Sequence, residues 1–281
     1  MNERHSIWLK RHVLEEEKPW TEDLILRTYK FTNVFRQLDK GTVVLTEILR
    51  GQSDLNLIFF NIAWYRLFNY YVHANELGFV EHYRQVEEYI LNLAKHDKRI
   101  FTSAWMTTGV MREDKHITYL RATKEAWDNR AKFTELILGC LSLEKACQIL
   151  TELYMVGKFM AYELACDMRF TPLLDKATDV CTWTNMGPGA QRGLRRLGYP
   201  HKNQSEGCCS MVGLYSKIVD GDCRSLISDC IVMNSDEANM ERDRAPWPFE
   251  LREIEHNLCE MDKYMRVKTG EGTPRSKYPG V

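Results

Sequence analysis

The segment "LREIEHNLCEMDKYMR" concentrates reactive side chains toward the end of the chain. On a helix of 3.6 residues per turn, His256, Glu260 and Lys263 fall at i, i+4 and i+7, and Glu255, Cys259, Asp262 and Arg266 form the adjoining row. A histidine, two carboxylates, a thiol and a lysine facing one cleft would be able to deprotonate an amine and balance a departing anion. The same spacing also serves ordinary ion pairing on a solvated helix whose buried stripe is Ile254, Leu258, Met261 and Met265.

A second stretch, "KFTNVFRQLDKGT", reads as a helix with two complete faces. Phe31, Val34, Phe35 and Leu38 repeat at the apolar spacing, and Asn33, Arg36, Gln37 and Lys40 repeat on the other side, with Asp39 and Gly41 closing it. That polar face is either solvated or part of a site. In "DLNLIFFNIAWYRLFNYYVHANELG", apolar nearly all round, Arg66, Asn69 and His73 lie at i, i+3 and i+7. A buried arginine needs partners, so Arg66 either anchors an internal network or reaches an anion in a cleft.

A third stretch, "DVCTWTNMGPGAQRGLRRLGYPHK", reads as an apolar helix, a Gly187-Pro188-Gly189 turn and a second helix from Ala190. Amides at such a turn can face an anion. Arg192, Arg195 and Arg196 follow, with no acidic residue between Asp179 and Glu206. The arrangement resembles a helix-hairpin-helix, which holds a DNA backbone phosphate without reading sequence, and it spans 176–198. A cation bridging the hairpin carbonyls to a phosphate is the one ion this motif would admit. No other metal or cofactor is expected.

The rest of the chain bounds these readings. Its 281 residues suffice for one two-lobed domain over 1–281. Helical periodicity or strong helix formers run through 21–40, 42–50, 54–77, 80–96, 122–138, 143–167, 173–184, 190–198 and 248–267, so the expected class is all-α. A short hairpin is expected at 110–120, an irregular stretch at 201–223 and a frayed tail from 267. A net charge of −1 gives no global field for nucleic acid or membrane, so such a partner needs a local patch. No segment predicts a secretory leader or a membrane span. The nine cysteines, odd in number and without CxxC, suit a reduced cytoplasmic protein without a zinc ribbon. Cys223 and Cys230 lack the further cysteines of an iron–sulfur loop, and Cys208-Cys209 suggests no site.

Taken in order, "FTNVFRQLDKGT", "GPGAQRG" and "EHNLCEMDKYMR" resemble the α-glutamyl/putrescinyl thymine pyrophosphorylase family. These are phage amino acid:DNA transferases related to the helical domain of 5-hydroxymethyluracil DNA kinases. The resemblance extends over 24–278. It implies a fold like that of the helix-hairpin-helix DNA glycosylases and a reaction in host cytoplasm. On double-stranded DNA carrying 5-(pyrophosphoryloxymethyl)uracil, an amino acid or polyamine displaces pyrophosphate.

Under that implication the base is flipped from the duplex, with Phe59, Phe60, Trp64 and Tyr65 offering stacking surfaces or simply core. Arg36, Lys40 and Arg66 would stabilise the leaving pyrophosphate. Glu260, Asp262 or His256 would act as base beside Lys263, Asn33 and Asp39 would position the uracil, and Cys259 would add transiently to uracil C6. Gly187, Gly189, Arg192, Arg195 and Arg196 would hold DNA. Three rivals remain. A DNA glycosylase would use Asp220 or Asp222. A kinase-associated helical chain would need its phosphoryl chemistry elsewhere, since this sequence holds no GxxxxGK[ST]. A non-catalytic DNA-binding accessory is the third.

Overall fold

The computed structural model describes residues 1–102, 113–219 and 249–278. Among them every regular element is helical, and the sole β-type pairing is an isolated bridge between Tyr29 and Lys277. The chain divides into two compact units, Lys40–Asp179 and a second that joins Met1–Asp39 to Val180–Val281.

The continuous unit contains α3 (Lys40–Leu49), α4 (Leu55–Phe68), α5 (Tyr71–Leu77), α6 (Tyr83–Lys95), α7 (Lys115–Asp128), α8 (Arg130–Leu138), α9 (Leu143–Leu150) and α10 (Lys158–Met168). Its axis is α4, buried without interruption from Ile58 to Phe68 and packed against α3, α5, α7, α8 and α10. Asp54 caps its start by accepting from the amides of Asn56 and Leu57. Asn69, at φ 48°, ends it in the left-handed conformation. The run 54–77 is therefore two helices, and His73 lies on α5, where its ring meets Tyr89 and the Ile100 carbonyl rather than Arg66.

Arg66 spends its guanidinium on protein. Nε and Nη2 donate to the two Asp167 oxygens at 2.6 and 2.8 Å, and Nη1 donates to Asn69 at 2.9 Å with Glu163 at 3.5 Å. The internal-network alternative is what the structure holds, so Arg66 is withdrawn as a substrate ligand. Of the two alternatives for Phe59, Phe60, Trp64 and Tyr65, the structure holds the core one, each being at most 2% exposed.

Other boundaries moved for local reasons. The run 122–138 breaks at Asn129, and α7 begins at Lys115, so 115–120 is helix rather than the expected hairpin; residues 110–112 lie outside the described residues. The run 173–184 is turn and irregular backbone, because Asp179 is used as a cap for α9. Its carboxylate accepts from the amides of Leu143 and Glu144 and from the Ser142 hydroxyl. The first arm of the expected helix-hairpin-helix is thus not formed.

The discontinuous unit contains α1 (Asn2–His12), α2 (Leu24–Thr28), a 3₁₀ turn (Arg36–Leu38), α11 (Pro188–Arg196), α12 (Gln204–Val219) and α13 (Leu251–Lys268). Neither α1 nor α12 was expected; α12 occupies most of the stretch read as irregular. Beyond α13 the tail is pinned as far as residue 278, where Lys30 donates to the Ser276 carbonyl and Tyr278 to that of Thr28. The expectation of fraying is corrected there. Asp220, Asp222, Cys223 and Cys230 lie outside the described residues.

His5 on α1 is 1% exposed, stacks on Trp8 at 5.9 Å, meets Phe35 edge-on at 5.3 Å, and neither ring nitrogen has a hydrogen-bond partner among the described residues. Burial lowers its pKa from 6.5 to about 4. The fold therefore holds it neutral, and the stability this gives above pH 6.5 is lost as pH falls toward 4, amounting to roughly 3 kcal/mol. His5→Phe is expected to reduce the drop in Tm between pH 7 and pH 5, measured by circular dichroism melting.

Candidate active site

The segment 29–39 is not a continuation of α2. After a backbone at Tyr29 with ψ 144°, it runs without regular structure and bends at Val34 and Phe35 before the 3₁₀ turn, so the two-faced helix expected there does not exist. The segment closes on itself instead. The Asn33 N–H donates to Asp39 Oδ1 at 2.9 Å, and Asn33 Nδ2 donates to the Leu38 carbonyl at 2.7 Å. Asn33 thereby shapes the loop. Lys40 belongs to the other unit, is exposed, and sets its ammonium 4.2 Å from the Tyr71 ring centroid; its shared face with Asn33 and Arg36 is corrected.

Three contacts fix this loop on α13. The Thr32 N–H donates to Glu260 Oε2 at 3.2 Å, Asn257 Nδ2 donates to the Val34 carbonyl at 3.2 Å, and His256 Nε2 lies 3.9 Å from Asp39 Oδ2. Arg4 of α1 donates to the carbonyls of Thr32 and Asn33 and to Asn257 Oδ1. Lys263 reaches Glu260 at 3.0 Å and sits over the Phe31 ring at 4.7 Å. Loop and helix thus gather Asp39, His256, Glu260 and Lys263, with Arg36 buried beside them and acting on Asp39 electrostatically.

The polar atoms of this cluster are incompletely used. Thr32 Oγ1 and His256 Nε2 are buried with no hydrogen-bond partner among the described residues, as is Gln37 Oε1 on the 3₁₀ turn. A buried polar atom without a partner is costly unless something else meets it. Burial pushes the Asp39 carboxyl above the ordinary carboxylate range, against the pull of His256, the Asn33 N–H and Arg36. Such a carboxyl holds its proton to higher pH than a surface aspartate does.

The adjoining row of α13 does different work: it holds α11. Glu255 accepts from the Gly187 N–H at 3.3 Å, which gives the helix start an internal carboxylate where an external phosphate was expected. A Cβ on Gly189 would stand 2.2 Å from Cys259 Sγ, and one on Gly193 would stand 2.6 Å from the Leu258 carbonyl oxygen. These glycines permit close helix packing. Asp262, 1% exposed, accepts from Arg192 Nε at 2.6 Å and Arg196 Nε at 2.8 Å, and Arg196 also pairs with Glu271. Asp262 is therefore a structural carboxylate, and Arg192 and Arg196 are largely neutralised. Arg195 is exposed, with no ion pair among the described residues. Burial pushes the Cys259 thiol up to about 12, so it is a poor nucleophile at neutral pH.

Gly193→Ala should cost about 1–3 kcal/mol, because the added methyl meets backbone that cannot rotate away. Urea denaturation reads this directly. A glycine needed only for phosphate approach would leave stability unchanged.

Sequence spacing found both rows but not their division of labour. It missed Arg4, Thr32, Asn257 and Tyr264, whose roles depend on contacts across more than 200 residues, as in the Tyr264 hydroxyl's 2.6 Å bond to Asp23. Among the described residues no group of His, Cys, Asp and Glu is arranged to hold a metal ion. No described helix is long and apolar enough to cross a membrane.

The fold and site define a protein whose described elements are all helical and in which Asp39, His256, Glu260 and Lys263 gather between a closed loop and a long helix. Residues 1–273 match the family model described as 5-hmdU DNA kinase, helical domain, and the chain belongs to that family. It is also 25% identical over 296 residues to the 5-hmdU DNA kinase of Bacillus phage SP10. That alignment covers 96% of this chain and 44% of the relative, so the chain spans less than half the length of the relative it matches. No solved structure matches the chain significantly.

Proposed function

We propose that the chain modifies thymine-derived bases in double-stranded DNA, displacing pyrophosphate from 5-(pyrophosphoryloxymethyl)uracil with an amine. The observation that carries this reading is the cluster of Asp39, His256, Glu260 and Lys263, in which Thr32 Oγ1 and His256 Nε2 have no hydrogen-bond partner among the described residues. Glu260 is the base for the incoming ammonium, since Asp262 is committed to two arginines. Lys263 and Arg36 offset charge developing on the leaving group, and His256 with Asp39 supplies or removes a proton at the base. Membership of a family named for DNA kinases supports a DNA-modification setting. The glycosylase-like architecture remains part of this proposal.

A second reading is favoured by the relationship to the phage kinase: a recognition module that presents hydroxymethylated DNA to a kinase. Incubating the chain with DNA containing 5-(pyrophosphoryloxymethyl)uracil and a pool of amino acids and amines, followed by nucleoside mass spectrometry, separates the two. A mass gain equal to one amine supports transfer. Unchanged nucleosides together with selective binding to hydroxymethylated DNA support the module.

DNA contact is assigned to the exposed end of α11. Arg195→Ala should weaken binding several-fold and reduce the slope of log K against log salt by about one. The rate at saturating DNA should not change.

A further inference from the structure

One peptide group of the site loop is gripped from both ends. The group joining Thr32 to Asn33 offers its carbonyl to Arg4 of α1, which donates from Nε at 3.2 Å and from Nη2. Its N–H donates to Asp39 Oδ1 at 2.9 Å. A trans peptide is planar, so the direction of the carbonyl fixes that of the N–H, and turning the group over would break the bonds on both sides. Arg4 thus aims the N–H that holds the Asp39 carboxyl. The other oxygen of that carboxyl lies 3.9 Å from His256 Nε2.

The same guanidinium reaches the helix across the loop. Its Nη1 donates to Asn257 Oδ1 at 2.8 Å, and Nη2 also donates to the Asn33 carbonyl at 3.2 Å. Asn257, next to His256 on α13, donates in turn to the Val34 and Glu253 carbonyls at 3.2 and 2.6 Å. Loop and helix are therefore tied through one planar group whose donors hold fixed directions. The charges acting most strongly on the Asp39 carboxyl are those of His256, Arg36 and Glu260, so the part left to Arg4 is geometric. Arg4 also lines a 380 Å³ cavity beside α13, and a shorter side chain there opens space already present without pushing on a neighbour.

We propose that Arg4 is a positioning residue: through the Thr32–Asn33 peptide and Asn257 it sets Asp39 against His256. Lysine at this position keeps the charge but presents its donors from a single nitrogen, which cannot span from the Thr32 carbonyl to Asn257 as the fork does. The inference rests on the transfer reading only for its effect on rate; the geometry can be read without substrate.

The test is amide hydrogen exchange and histidine-ring NMR on the full chain, comparing the wild type with Arg4→Lys and with Leu9→Ala, a buried α1 residue that makes none of these bonds. In the wild type the Asn33 N–H should exchange at least about a hundredfold more slowly than an unprotected loop amide. Arg4→Lys should speed that exchange at least about tenfold and move the His256 ring resonances. It should also lower kcat for amine transfer at least about tenfold, with KM for DNA within about twofold. Leu9→Ala should speed exchange in common across the unit, with Asn33 in step with its neighbours and the His256 resonances in place. An Asn33 N–H that exchanges freely in the wild type overturns the proposal without any variant. So does an Arg4→Lys chain that behaves as Leu9→Ala does, or one that loses the Asn33 protection with kcat unchanged. A wild type that transfers no amine, while Arg4→Lys alone frees Asn33 and shifts His256, keeps the positioning of the pair and refutes the transfer reading.

Discussion

Glu260→Gln lowers the rate of amine transfer to modified DNA by at least about a hundredfold and leaves DNA affinity within about twofold. The amide is nearly isosteric and can still accept from the Thr32 N–H, so the loop keeps its anchor on α13. What disappears is the proton acceptor and the ion pair with Lys263 at 3.0 Å. Asp262→Asn provides the contrast. That carboxylate lies one turn row away and joins Arg192 and Arg196, so its loss lowers Tm and loosens α11. Steady-state rates, DNA-binding isotherms and melting curves on the two variants separate the rows of α13. Equal losses of rate with equal losses of stability would dissolve the distinction.

Arg66→Met destabilises the protein by about 3–5 kcal/mol, the largest stability effect expected of any single change considered. Removing the guanidinium takes two charge-assisted hydrogen bonds, at 2.6 and 2.8 Å, from Asp167, whose side chain has no exposed surface. The double variant Arg66→Met/Asp167→Leu recovers most of that loss, since replacing a buried pair by apolar groups is often neutral. Urea denaturation of the single and double variants measures the coupling. A single variant with unchanged stability and lost turnover would restore Arg66 to a role on an anionic substrate.

The Arg66 result shows where sequence reading stops. Periodicity established that α4 is buried, and burial required a partner for Arg66, but the partner lies 101 residues away on α10. The arginine run of α11 shows the same limit. Locally it has no acid for company, and its neutralisation comes from Asp262 and Glu271, more than 60 residues on. The row His256, Glu260, Lys263 was legible because helix spacing alone puts those residues on one face.

The loop facing that row was not legible as structure. The apolar repeat of Phe31, Val34, Phe35 and Leu38 imitates a helix, yet Val34, Phe35 and Leu38 form a small cluster packed by Trp8 and Phe249 instead. The all-helical class followed from many periodic segments at once. The first arm of the hairpin failed because Asp179 and the Val180 carbonyl were recruited as helix caps, of α9 and of α13 respectively.

The most direct measurement is pyrophosphate release from DNA carrying 5-(pyrophosphoryloxymethyl)uracil, followed with and without added amine for the wild-type chain and Glu260→Gln. Release by the wild type that depends on amine and matches incorporation one for one, with the variant slower by at least about a hundredfold, is the predicted result. Amine-independent release, or equal rates for the two proteins, would contradict the assignment of Glu260 and of the transfer reaction to this site.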